Sequence, residues 1–286
     1  MKYSLICVNS SLGVSVMGTE MGPRVIRERL DLERFAKIYD VNSMGSKNDI
    51  AGINGVNGDL YRDVGESFRN GNFPIILGGD HSLGIGSGLA ALDFYGDVGI
   101  IWIDAHADFN TFESSETGNI HGMPLATLCG YGNGVLRNGI SDNFIKRENV
   151  VMVGTRSIDE KELVNIRDAG IMVISDEEIR EIGIVKAMFK AFDYLKCKFI
   201  HISFDMDVID PDIAMGVSIP EDRGIDLESA RRVMDIIQAK KEVVSLDIVE
   251  FNPLLDIDNR TRDICVDLIG IFMNGTLKRH PWLGVS

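Results

Sequence analysis

Cations are scarce in this sequence. Its 29 lysines and arginines stand against 43 aspartates and glutamates, a formal net charge of −14. A nucleic-acid binder needs a basic footprint, and docking on an anionic bilayer needs one too, so neither partner is expected. Most of the acids read as a solubilising surface, although an acidic site that collects cations is the alternative. Cysteine is also sparse. Cys7, Cys129, Cys197 and Cys265 are far apart, form no CxxC pair and lie in or beside apolar runs, which suits buried reduced thiols. No apolar run reaches the length of a membrane span, and the apolar stretch of the opening MKYSLICVNS is too short for a secretory signal. Low-complexity linkers and internal repeats are missing as well. A soluble, cytoplasmic protein is the expectation, with residues 1–286 forming one domain.

What is present is a hydrophobic share of 45%, enough for a sizeable core, in short runs alternating with helical patterns. Candidate strands are Ser4–Val8, Phe35–Val41, Pro74–Leu77, Val98–Ile103, Val150–Val153, Ile171–Ile174, Phe199–Phe204 and Val243–Val249. Several are continuously apolar, as strands of a parallel sheet are when helices cover both faces. Pro23 suits the first turn of a helix over Pro23–Leu30. Ser175 with Glu178 reads as a capping box. Leu227–Gln238 and Thr261–Met273 have amphipathic spacing. Glycine-rich Met44–Gly58 and Gly130–Gly139 read as surface loops. The expected fold class is α/β, a three-layer α/β/α arrangement around a doubly wound, mainly parallel sheet.

Three strands run into clusters of acids and histidines. PIILGGDHS ends at Asp80, His81 and Ser82; GIIWIDAHADFN carries Asp104, His106 and Asp108; FIHISFDMDVIDP carries Asp205 and Asp207. Ligands of open α/β sheets bind beyond the carboxyl ends of the strands. The spacing of two predicts that Asp104, His106 and Asp108 share one face of extended backbone, and likewise Asp205 and Asp207. So many carboxylates cannot stay ionised side by side without cations. Two divalent ions answer that. A mixed carboxylate and imidazole set suits Mn²⁺, with Zn²⁺, Co²⁺ or Fe²⁺ also open. Each piece has a plainer alternative: His81 as a helix-capping residue, Asp205 as a turn residue of the kind expected at Asp210. Asp80 reads as structural, and His201 as a buried, hydrogen-bonded histidine. The joint occurrence of three such strand ends favours the metal reading.

These stretches, with VEFNP at Val249–Pro253 and MGPRVIRERL at Met21–Leu30, resemble the arginase/agmatinase (ureohydrolase) family along most of the chain. The resemblance implies two manganese ions held by His81, Asp104, His106, Asp108, Asp205 and Asp207. It also implies an eight-stranded parallel sheet and homo-oligomers, trimers or hexamers. TGNIHGMPLA (Thr117–Ala126) looks like arginase proper. By resemblance His121 shuttles protons, and Asn110, Thr117 and Asn119 receive a substrate α-carboxylate. Asp159 receives the α-amino group, with Glu162 assisting through water, and Glu250 clasps the guanidinium. Without the resemblance, His121 is a loop histidine and Glu250 a solvated strand-end acid. Asn119 and Thr117 then cap a helix beginning near Met123, and Asp159 caps one over Glu160–Ala169. The sequence departs from the family at Asp212–Gly224, DIAMGVSIPEDRG. A Gly-Thr-Pro step is missing there, and Val217 or Ser218 stands in the threonine's place.

The chemistry implied is hydrolysis of a guanidino compound, with L-arginine giving L-ornithine and urea. A metal brings the pKa of bound water from about 15.7 to roughly 7. Asp108 orients that nucleophile and takes its proton, Glu250 pairs with the guanidinium, and His121 delivers a proton to the leaving amine. Agmatinase, guanidinobutyrase and formiminoglutamase activities are the near alternatives, since all keep the six ligands. A metallophosphatase has its motifs in another order. A single-zinc deacetylase leaves ligands unexplained. An inactive relative is supported only by the altered loop.

Overall fold

The computed structural model describes residues 1–275; residues 276–286, the tail of the expected 1–286 domain, lie outside the described residues. Eight strands, β1 (Lys2–Asn9), β2 (Phe35–Asn42), β3 (Asn72–Gly78), β4 (Val98–Ile103), β5 (Val150–Thr155), β6 (Met172–Ser175), β7 (Phe199–Asp205) and β8 (Val243–Val249), form one sheet. Their order is β2-β1-β3-β8-β7-β4-β5-β6, and every pairing is parallel. Each expected strand is present. The expectation of an eight-stranded, doubly wound α/β sheet is met.

The strands read as apolar runs because helices cover both faces. Leu5 and Cys7 of β1 point into one core with Ile26, Ile179, Met188, Val233 and Leu268. Those side chains come from α1 (Gly22–Arg27), α6 (Asp176–Ile182), α7 (Ile184–Tyr194), α8 (Leu227–Ala239) and α9 (Arg260–Asn274). Ile6 and Val8 point the other way, into a core with Leu60, Leu89, Leu125 and Ile166. That side is covered by α2 (Ile50–Arg69), α3 (Gly84–Tyr95), α4 (Pro124–Leu128) and α5 (Glu160–Ala169). Period-two alternation thus splits the inner strands between two apolar layers, while the edge strand β2 exposes Lys37, Asp40 and Asn42.

The loop expected over Met44–Gly58 is corrected by α2, which begins at Ile50 and runs for 20 residues. Its glycines lowered the helical signal, but Ile53, Val56, Leu60, Val64 and Phe68 repeat at helical spacing and are buried. Asp49 caps the start by accepting from the Ala51 N–H at 3.1 Å. Ser175 caps α6 through the Glu178 N–H at 3.2 Å, while the Glu178 side chain pairs with Lys190 instead of closing a box. No described helix is long and apolar enough to cross a membrane.

Candidate metal centre and substrate pocket

The four central neighbours of the sheet, β3, β8, β7 and β4, deliver the site from their carboxyl ends. The turn after β3 is forced by glycine. A Cβ on Gly79 would lie 1.8 Å from the Ser10 carbonyl oxygen, so only glycine lets the chain pass β1 there. Asp80 then caps the following turn, accepting from the N–H of Ser82 at 3.0 Å and of Gly13 at 3.1 Å. It is structural, as its place in the motif suggested. His81 enters the site with its ring stacked on Trp102, centroids 4.0 Å apart.

His81 Nδ1 lies 3.1 Å from one oxygen of each of Asp104, Asp108 and Asp205. All four side chains are buried. Neither His81 Nδ1 nor Asp108 Oδ2 has a hydrogen-bond partner. Neighbouring ligands of an octahedral ion with bonds of ~2.1 Å stand roughly 3 Å apart. Converging but unbonded donors at that separation are what a divalent ion requires, so the residues fit the implied metal. Asp104 is shared. Its Oδ2 belongs to this group and accepts from Trp102 Nε1 at 3.0 Å, while Oδ1 faces His106 Nδ1 at 3.7 Å. Asp207 Oδ2 lies 2.8 Å from that same Nδ1 and completes a second donor group.

The route to this convergence differs from a shared strand face. β4 stops at Ile103, and Asp108 has left-handed backbone, φ 50°. Asp205 ends β7 and accepts from the Asp207 N–H at 2.8 Å, so Asp207 swings in on a tight turn. Glu250, just beyond β8, is also left-handed at φ 63°. Strained backbone at two acidic positions is the kind that persists only where the surroundings hold it.

Electrostatics follow from crowding. Burial, then Asp207 and Asp104, push Asp205 well above the carboxylate range. Burial and Asp104 raise Asp207, and the same pair of causes raises Asp108 to about 6. Burial opposes the effect at Asp104, but the neighbouring His106 and His81 rings hold it below its ordinary value. Burial likewise disfavours protonated His81 and His106, yet the surrounding carboxylates win and raise both well above the imidazole range.

A cavity of about 200 Å³ opens beside the second donor group, between His106, Asp108, Asn110, Thr117, Asn119, His121, Asp159 and Glu221. A larger one, about 810 Å³, lies at Arg24, Arg27 and Asp40, far from these donor groups and lined by none of them. His121 Nδ1 sits 3.0 Å from Glu250 Oε1, which also accepts from the His81 N–H at 2.8 Å. Glu250 is buried and is therefore no solvated strand-end acid. Burial opposes protonation of His121, but Glu250 outweighs it and raises the ring. Asn110 Nδ2 donates to Asp159 Oδ2 at 3.0 Å. Asn119 Oδ1 accepts from Ser15 Oγ at 2.7 Å, and neither Asn119 nor Thr117 caps α4 by its side chain. Glu162 joins two segments, its oxygens accepting from the N–H of Phe109 at 2.7 Å and of Asp159 at 3.2 Å. Burial pushes it up to about 8.

Beneath the centre, His201 is buried as expected, with Ser245 Oγ at 2.7 Å and Asp247 Oδ2 at 3.1 Å. Ser203 Oγ lies 2.8 Å from His81 Nε2, a contact that sequence reading missed although Ser203 stands two residues before Asp205. In the altered loop, Ser218 Oγ accepts from Asn252 Nδ2 at 3.0 Å, beside the end of β8. Glu221, three residues on, enters the pocket unforeseen.

Imidazoles and buried carboxylates gathered into adjoining donor groups, at the carboxyl edge of an all-parallel sheet, define a metallohydrolase of the α/β class. The Arginase family model matches residues 1–274. The chain belongs to the arginase family, hydrolases with binuclear metal sites that cleave a C–N bond of a guanidino substrate. It is 38% identical over 283 residues to the arginase of Bacillus subtilis, covering 93% of this chain and 95% of that one. It is 35% identical to the arginase of Bacillus caldovelox, covering 93% and 96%. The solved Bacillus caldovelox arginase superposes with a TM-score of 0.90 at 34% identity over 96% of this chain and 99% of that one. A formimidoylglutamase from Bacillus subtilis, at 21% identity and a TM-score of 0.81, shares the fold.

Proposed function

We propose that this chain is an arginase, hydrolysing L-arginine to L-ornithine and urea. The observation that carries the proposal is the near full-length match to curated arginases, together with a pocket that joins both donor groups to Asn110, Thr117, Asn119 and Asp159. His81, Asp104, Asp108 and Asp205 would hold one divalent ion, and Asp104, His106 and Asp207 the other, Mn²⁺ in both cases. Such ions, when bound, make water a nucleophile near neutral pH. The family match over residues 1–274 supports reading the chain as one domain. Four unpaired cysteines, three of them buried, support a reducing, cytoplasmic setting. Assembly into trimers or hexamers, as the resemblance implies, completes the proposal and is checked by light scattering.

The protein's own groups then divide the work. Asn110, Thr117 and Asn119 receive the α-carboxylate and Asp159 the α-ammonium, which sets the guanidinium against Glu250. That carboxylate makes a charge-assisted contact with the guanidinium while it fixes the His121 ring through Nδ1. Asp108, buried, accepts the proton released as water attacks the planar carbon. His121 sits at the pocket wall, its affinity for a proton opposed by burial but raised by Glu250, and it gives a proton to the departing amine. Cleavage of the C–N bond leaves urea and ornithine. Glu162 acts through Asp159, whose N–H it holds.

Urea release from L-arginine, agmatine, guanidinobutyrate and guanidinoacetate, with formamide release from formiminoglutamate, tests the reading on Mn²⁺-loaded protein. Preference for L-arginine is expected. Preference for another compound would transfer the activity to that substrate, and the loop at 212–224 would be the cause to examine.

A further inference from the structure

The loop that departs from the family sequence returns one acid to the site. Glu221 Oε1 lies 3.5 Å from His106 Nε2 and accepts a hydrogen bond from Ser157 Oγ at 2.9 Å. The main chain behind it is pinned by a single guanidinium. Arg156 donates to the carbonyl oxygens of Glu221 at 2.9 Å, Asp222 at 2.8 Å and Asp207 at 2.8 Å. One cation therefore ties the Glu221 segment to the turn that carries Asp207. Ser157 is itself bridged to His106 through the backbone. The placement of this carboxylate against the His106 ring is held from three sides, though its side chain is 34% exposed.

The two nitrogens of His106 face different groups. Nδ1 faces Asp207 Oδ2 and Asp104 Oδ1, the donors of the second group. Nε2 faces Glu221. A neutral imidazole offers a lone pair from one nitrogen only while its proton sits on the other. An acceptor at Nε2 therefore selects the tautomer that leaves Nδ1 free. The first donor group is arranged differently. Its His81 is held at Nε2 by the buried hydroxyl of Ser203.

We propose that Glu221 is a positioning residue for the second metal, fixing the tautomer and ring plane of His106 so that Nδ1 points at Asp104 and Asp207. The proposal rests on the two-metal reading above. It makes the loop at 212–224 a determinant of metal affinity at one site, and it leaves the first donor group to Ser203.

The test is calorimetric titration of the full-length, chelator-stripped protein with Mn²⁺, alongside metal analysis by mass spectrometry, for the unaltered chain, E221A and E221Q. Loss of such a partner is expected to weaken one of the two sites by about 10–100-fold, with the other unchanged. Glutamine keeps an acceptor oxygen at the same reach and is expected to recover most of that loss. S157A, which frees the carboxylate from one tether, should weaken the same site by less. Unchanged affinity at both sites in E221A overturns the role of Glu221. Equal weakening of both sites in E221A and E221Q overturns it too, because the loop would then matter only as a piece of structure. An unaltered protein that binds fewer than two ions would overturn the metal reading itself, a result separable from either of these.

Discussion

Stripping the metals is expected to make the protein both more protonated and less stable, and the structure sets the sign of each effect. Burial works against a charged His81 and His106, but Asp104, Asp108 and Asp205 around the first ring, and Asp207 around the second, raise both well above the imidazole range. The metal-free protein therefore binds protons at both rings more tightly than free imidazoles do, and Asp205 too has a raised affinity for one. Metal ligands must be deprotonated, so loading should release protons. The sign follows directly: affinity rises with pH for as long as the free rings stay protonated. Filling each of two sites at 100 times its dissociation constant adds ~2.7 kcal/mol per site. With an unfolding entropy of ~2.1 cal/mol/K per residue, a chain of 286 residues has a melting shift of about 9 °C between loaded and chelated protein. Titration with Mn²⁺ in two buffers of different ionisation enthalpy counts the protons, and melts with and without chelator give the shift. Binding without proton release, or a melting temperature indifferent to chelator, would refute the assignment of these buried side chains as ligands.

Glu250→Gln should retain two metals, because Glu250 belongs to neither donor group, yet lower turnover by roughly 10²–10⁴; metal analysis and steady-state kinetics measured together check this, and unchanged kinetics would remove Glu250 from the mechanism. Asn119→Ala should narrow the preference for L-arginine over agmatine by about 10–100-fold in kcat/KM, the equivalent of ~1.5–3 kcal/mol for a hydrogen bond to a charged group, since agmatine has no carboxylate to lose; an unaltered ratio would sink its role. Burial holds Glu162 protonated up to about 8, against a reference of 4.5. Its raised value favours the folded state at low pH, and that contribution fades as pH rises through 8, at up to ~1.4 kcal/mol per pH unit. Chemical denaturation of chelated protein from pH 5 to 9 should show this slope, flattened in Glu162→Gln; a slope shared by both proteins would assign it to other groups.

Most strands were legible because they are buried on both faces, so their apolar runs needed no periodicity to be seen, the edge strand β2 with Lys37, Asp40 and Asn42 exposed being the exception; β1, β3 and β5 extend past their expected ends by residues at the rim. α2 was illegible over its first turns for the opposite reason. Gly55 and Gly58 meet no neighbouring atom, so a side chain there was free to be absent, and their presence reads locally as loop. The helix is carried by the buried stripe from Ile53 to Phe68, which dominates over glycine's cost of about 1 kcal/mol each.

The donor residues were legible for a reason only partly right. Spacing of two along a strand implies a shared face, yet Asp108 comes in on left-handed backbone and Asp207 on a turn capped by Asp205. What brings them together is topology: β7 and β4 are neighbours in the sheet, and only β8 stands between β7 and β3. The motifs report which residues gather there, while the backbone path has to be read from the fold. Glu221 is the contrary case. A single acid in an irregular loop has no period and no motif, and its meaning arises only from contact with His106, Ser157 and Arg156, each far away in sequence. The altered loop lacks the family's Gly-Thr-Pro step. The loop instead keeps a hydroxyl, Ser218, against Asn252 beside β8 and places a carboxylate behind a donor imidazole. Ile219 and Glu221 of this loop both line the pocket, so substitutions there should be read through metal affinity and substrate preference together.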